Sequence, residues 1–117
     1  MFFFKKKEKY KEMMTIDSNF YHENSWLLSH DKKMQFYLVC QQIKYLLENE
    51  AKILFKIIKE NKEKIFQAKE IKQCILFNNE FLCFYLKNGE VYLFYPDFKR
   101  ISLSIIDNKE EKIIWSN

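Results

Sequence analysis

Apolar side chains return every third or fourth residue from Phe36 to Ile58, and every second residue beyond Glu70. In the first stretch Phe36, Cys40, Ile43, Leu47, Ala51, Leu54 and Ile58 fall on one face of a helix. No glycine or proline interrupts the chain between 31 and 88, and Ser29 or Asp31 offers an N-cap. The spacing therefore predicts helix over about 31–67. One helix of roughly 35 residues would span about 50 Å, too long for a compact body of this size, so two helices joined near Asn49-Glu50 are expected. Ahead of them, residues 15–30 lack periodicity and read as a loop pinned by Phe20, Tyr21 and Trp26. Residues 2–14 read equally as a short amphipathic helix or a frayed basic tail.

After Glu70 the period is that of a strand. Ile71–Phe77, Glu80–Lys87, Glu90–Tyr95, Arg100–Asp107 and Lys112–Trp115 are the expected strands, turning at Asn78-Asn79, Asn88-Gly89 and 107–111. The expected fold is α+β. Its N-terminal helices (about 31–67) pack on one face of a four- to five-stranded antiparallel meander (about 71–115). Residues 1–117 are expected to form one domain, led by a basic segment over 1–14.

Asn88-Gly89 invites a two-residue type I′ turn, and Pro96 should end the strand that follows. That turn would set Lys87 opposite Glu90, Tyr85 opposite Tyr92, and Cys83 opposite Phe94. One face of the hairpin would then carry Leu82, Phe84, Leu86, Val91, Leu93 and Tyr95, and should pack on the helices. The other would carry Phe81, Cys83, Tyr85, Lys87, Glu90, Tyr92 and Phe94. This second face is either covered by residues 1–30 or free as a tyrosine-rich contact surface. A two-residue turn at Asn78-Asn79 would also bring Cys74 opposite Cys83, although free thiols are the expected state of both.

Composition narrows the function classes more than it names one. With 48% apolar and 18% aromatic residues among 117, the chain is not of a disordered class. No apolar run approaches the ~18–20 residues of a membrane-spanning helix. The apolar and basic parts of Met1-Phe-Phe-Phe-Lys-Lys-Lys stand in the wrong order for a secretory signal, so a cytoplasmic protein is expected. The net charge of +4 is concentrated at the start, where residues 1–12 hold five lysines against two glutamates. Lys5, Lys6, Lys7, Lys9 and Lys11 could steer an acidic partner. Arg100 is the only arginine, which weakens a base-reading role in which bidentate guanidinium contacts dominate.

Candidate chemistry is sparse. His22 and His30 match no zinc spacing, Cys40, Cys74 and Cys83 form no CxxC pair, and one glycine cannot build a phosphate-cradling loop. No catalytic residue, cofactor or metal is expected. In type the chain is like small bacterial or phage proteins that neutralise one partner, such as immunity proteins or inhibitors of defence enzymes. The expected function is a non-enzymatic protein-binding module, with Tyr85, Lys87, Glu90, Tyr92 and Phe94 as the contact patch. The alternative is a nucleic-acid binder using the basic start and the aromatic hairpin. It would act on single strands, or as a winged helix with Ile53–Asn61 and Ala68–Cys74 as helices.

Overall fold

The computed structural model describes residues 8–13 and 32–117. Among them it has one α-helix and eight strands in two sheets, an α+β arrangement dominated by β structure. Strand β1 is Tyr10–Met13, helix α1 is Lys32–Glu48, and β2 (Leu54–Lys59) and β3 (Lys62–Gln67) form a hairpin. A 3-10 turn, Ala68–Glu70, leads into β4 (Ile71–Phe77), β5 (Phe81–Leu86) and β6 (Val91–Phe94). The chain closes with β7 (Ile101–Asp107) and β8 (Glu110–Ser116). The first sheet has the order β1-β4-β5-β6 and the second the order β3-β2-β7-β8.

Helix α1 forms where the 3.6-residue period is clearest, and Phe36, Val39, Cys40, Ile43 and Leu47 are its buried face. It stops at the expected break, by chain geometry rather than by a glycine. Glu50 takes the left-handed conformation (φ 53°), its N–H donates to the Leu47 carbonyl, and that of Ala51 donates to the Leu46 carbonyl. This is a Schellman closure, which satisfies carbonyls the helix leaves open.

The second expected helix is absent. Residues 54–67 form β2 and β3 instead, joined by a two-residue I′ turn at Glu60-Asn61 with φ of 51° and 66°. Ile53, Ile57, Ile58 and Ile65 are stiff at χ1 and suit a pleated surface. Phe55 and Ile57 alternate inward, while Leu54 and Ile58, which continued the helical spacing, are only half-buried. The winged-helix reading loses both of its helices by the same observation, since Ile53–Asn61 spans β2 and its turn, and Ala68–Cys74 runs into β4.

Nor is the sheet a single meander of four or five antiparallel strands. Residues 10–13, read from sequence as helix or tail, pair in parallel with β4, Tyr10 opposite Cys74 and Met13 opposite Phe77. The expected loop over 15–30, its Phe20, Tyr21 and Trp26, the caps Ser29 and Asp31, and the steering residues Lys5, Lys6 and Lys7 lie outside the described residues.

Both hairpins of the first sheet turn through three residues, not two. Phe77 pairs with Phe81 across 78–80, and Leu86 N–H donates to the Glu90 carbonyl (2.9 Å) across Lys87-Asn88-Gly89. Gly89 N–H closes a turn onto the Leu86 carbonyl (3.1 Å), and Gly89 itself sits at φ 91°, the left-handed position that ends such a three-residue loop. The Asn88 side-chain oxygen accepts from Glu90 N–H (2.9 Å) and pins the exit. One extra residue reverses the facing of a strand. Phe84 therefore pairs with Tyr92 and Leu82 with Phe94, in place of the expected Tyr85–Tyr92 and Cys83–Phe94 pairs. Cys74 pairs with Phe84 and Cys83 with Ile75, so the two thiols lie on opposite faces, and all three cysteines are free.

The sheets meet through aromatic rings. Phe84 lies 5.7 Å from Phe55 and 5.2 Å from Phe66, and Tyr92 stacks on Phe66 at 5.3 Å. Phe36 of α1 meets Phe94 of the first sheet at 6.2 Å and Trp115 of the second at 5.6 Å. Pro96 ends β6 as expected, and its carbonyl accepts the Trp115 indole N–H (3.1 Å), tying the crossing between sheets to β8.

Two substitutions test the turn geometry in opposite directions. A Cβ at Gly89 would meet nothing within 4 Å, so Gly89→Ala carries only the left-handed strain and should cost about 1–2 kcal/mol in urea unfolding. Lys109 holds φ 66° as the second residue of the β7–β8 turn, and Lys109→Gly should stabilise by about 1 kcal/mol. Unchanged midpoints in both would show these turns to be unstrained.

Candidate functional site

The three-residue loops decide which side chains leave the core. On the first sheet, Cys74, Leu76, Leu82, Phe84, Tyr92 and Phe94 turn toward the second sheet and α1. Ile75, Phe77, Phe81, Cys83, Tyr85, Val91 and Leu93 take the other side, with Lys11 and Met13 of β1 in register beside Ile75 and Phe77. This outer face is aromatic. Phe77 stacks on Phe81 (5.1 Å), Phe81 on Tyr95 (4.7 Å), and Tyr95 on Phe98 (5.0 Å), with ring planes 16–25° apart. Lys59 Nζ caps the row, 4.5 Å from the centre of the Phe98 ring.

Around this row several large apolar side chains are exposed. Val91 and Leu93 are each 48% exposed, Met13 44% and Phe98 40%, half of the large apolar side chains exposed among the described residues. Ile75 and Cys83, at the centre of the face, are buried but stand outside the core cluster. The second sheet differs: Lys56 lies across its outside, 2.8 Å from Glu111 and 3.4 Å from Glu63, with Ile65 and Ile113 exposed singly.

The expected contact patch is divided by this geometry. Tyr85 faces outward, and a hydrogen bond with the Cys83 thiol holds its phenol above the ordinary value. Tyr92 faces inward; its hydroxyl donates to Glu90, a bond that raises its own proton affinity. Phe94 is fully buried against Phe36. Lys87 and Glu90 are exposed at the hairpin loop, where Lys87 N–H donates to the Glu70 carbonyl (2.8 Å). Lys11 is exposed on β1, while Lys9 stands near the end of α1 and the 3-10 turn. Whether residues 1–30 cover the outer face lies outside the described residues, apart from 8–13. Sequence reasoning missed Phe77, Val91, Leu93, Tyr95 and Phe98 as surface partners of Phe81 and Tyr85. The available signal was parity: with three-residue loops, odd-numbered residues from 73 to 95 share one face.

Burial raises Cys40 and Cys74 above the ordinary thiol value, and Tyr10, whose hydroxyl finds no nitrogen or oxygen partner, is raised by burial and then by its neighbours Cys40 and Cys74. Among the described residues no three His, Cys, Asp or Glu side chains group as metal ligands, and no helix is long and apolar enough to cross a membrane. Compared with known protein families, curated protein sequences and solved structures, the chain matches none.

The buried protons give a pH dependence of defined sign. The folded chain holds the protons of Cys40, Cys74 and Tyr10 more tightly than the unfolded chain does. Stability is therefore intact below the ordinary thiol value of 9.0 and falls as pH rises past it, with Tyr10 adding from 10.0 upward. Urea midpoints measured from about pH 8 to about pH 10.5 should decline through this window. A flat profile would show that these groups are not desolvated.

Proposed function

We propose that the chain is a small protein-binding module that neutralises its partner by occupying it, using the outer face of the first sheet. The observation that carries this reading is the stacked row Phe77–Phe81–Tyr95–Phe98, flanked by the exposed Val91 and Leu93 and turned away from the core. Contiguous apolar surface of this kind marks interaction sites in monomeric proteins, and rigid aromatic side chains bury area at little entropic cost. The inner rings of the row, Phe81 and Tyr95, each have a neighbour on both sides. They offer edges rather than free faces, which suits aliphatic and aromatic protein groups better than stacking nucleobases.

Charge selects among protein partners. Lys11 and Lys59 stand on the face or its rim, and Lys99 and Arg100 follow Phe98 in the turn, against Asp97 and Glu80. A second copy would bring like charges together, whereas an apolar surface with an acidic rim would be steered toward this one.

The test begins with affinity purification from the cells that make the protein. The captured partner is then prepared pure and titrated calorimetrically. Leu93→Lys should weaken binding about 30-fold or more, with the melting temperature held within about 4 °C, because Leu93 is an outward residue. Undiminished binding by both Leu93→Lys and Phe98→Glu would overturn the assignment. So would sedimentation showing that wild type pairs with itself through this face while Leu93→Lys does not.

A further inference from the structure

A second feature stands away from the aromatic face, where the two sheets and the end of α1 come together. It is a cleft of about 560 Å³, within the range of small-molecule sites, about 300–1,000 Å³. Its floor is aliphatic and continuous with the core: Leu47 and Ile53 are buried, and Leu46 and Ala51 pack against the core cluster. Among the described residues no aromatic side chain lines it.

Four lysines line the same cleft, each from a different part of the fold. Lys9 precedes β1, Lys52 lies between α1 and β2, Lys69 belongs to the 3-10 turn, and Lys87 opens the β5–β6 loop. Backbone hydrogen bonds hold these carriers together. Lys9 carbonyl accepts from Cys74 N–H (2.6 Å), Ile53 carbonyl from Ala68 N–H (2.9 Å), and Glu70 carbonyl from Lys87 N–H (2.8 Å). Among the described residues Glu50 is the one carboxylate in the lining, and no ion pair between described residues engages any of the four lysines. Among the described residues, positive charge is thus concentrated over an apolar floor without a matching number of carboxylates. At the end of α1 nearby, the Schellman closure already engages the carbonyls of Leu46 and Leu47.

We propose that this cleft binds a small anionic amphiphile, a carboxylate or phosphate monoester carried on an aliphatic chain. The floor removes the chain from water, at roughly 25 cal/mol per Å² of apolar surface buried. Lysine ammonium groups act as hydrated, mobile point charges, so they take either head group without demanding one planar geometry. An aliphatic lining favours an acyl or alkyl body over a nucleobase, which would need ring faces or edge-reading donors.

Titration calorimetry of the full chain at low salt, below micellar concentrations, tests the proposal with four probes: decanoate, decyl phosphate, decanol and inorganic phosphate. One decanoate or one decyl phosphate should bind per chain, and the tighter of the two identifies the head group. Affinity should fall as salt is raised. The exposed positions Lys52 and Lys87 permit a double charge reversal, Lys52→Glu with Lys87→Glu, which should weaken binding about tenfold or more without changing the melting temperature. Lys69→Glu provides an independent variant with the same expected direction. Decanol binding as tightly as decanoate would overturn the anionic part, and inorganic phosphate binding as tightly as decyl phosphate would overturn the aliphatic part. Non-saturating uptake would overturn the site itself. Leu93→Lys should bind decanoate as wild type does, which keeps this result separate from the partner-binding face.

Discussion

The contact of Phe84 with Phe55 and Phe66 is the constraint from which the rest of the described structure follows. Phe84 is fully buried, on a central strand of the first sheet, and it reaches both strands of the β2–β3 hairpin. Its cross-strand partners Cys74 and Tyr92 must then face the same way. Strand alternation sends Ile75, Cys83 and Leu93 to the other side. A core formed on one face of the sheet thereby creates the aromatic surface on the other. The two are consequences of a single register.

That register gives the molecule two surfaces of different character. The first sheet's outside is a stacked aromatic row in which each ring packs on the next. The cleft near the end of α1 combines lysines with an aliphatic floor. The thiols of Cys40 and Cys74 belong to neither surface and are buried in apolar surroundings that disfavour the thiolate.

Several elements are legible in the residues themselves. Helix α1 follows from Phe36, Cys40, Ile43 and Leu47, and its end near Asn49-Glu50 from the length a compact body can hold. The strands after Glu70 lie within about two residues of their expected bounds, and Pro96 marks the end of β6. Residues 54–67 are not legible by spacing, because Ala51, Leu54 and Ile58 continue the helical period while Phe55 and Ile57 alternate as a strand. The β-branched Ile53, Ile57, Ile58 and Ile65 lean toward strand, and pairing of β2 with both β3 and β7 decides it. The parallel partnership of β1 with β4 also has no local signature, since it joins residues about sixty positions apart.

The residues alone establish which segments are apolar, where the chain turns after Glu70, and that Phe81 and Tyr85 share a face while Leu82 and Phe84 share the other. How the strands slide past one another is set by long-range packing. Asn88-Gly89 suits a two-residue turn and also the end of a three-residue loop, and the local preference between them is small. Setting Tyr92 and Phe94 beside Phe66 and Phe36, rather than in solvent, outweighs it. The aromatic outer face exists because the inner one had to be filled.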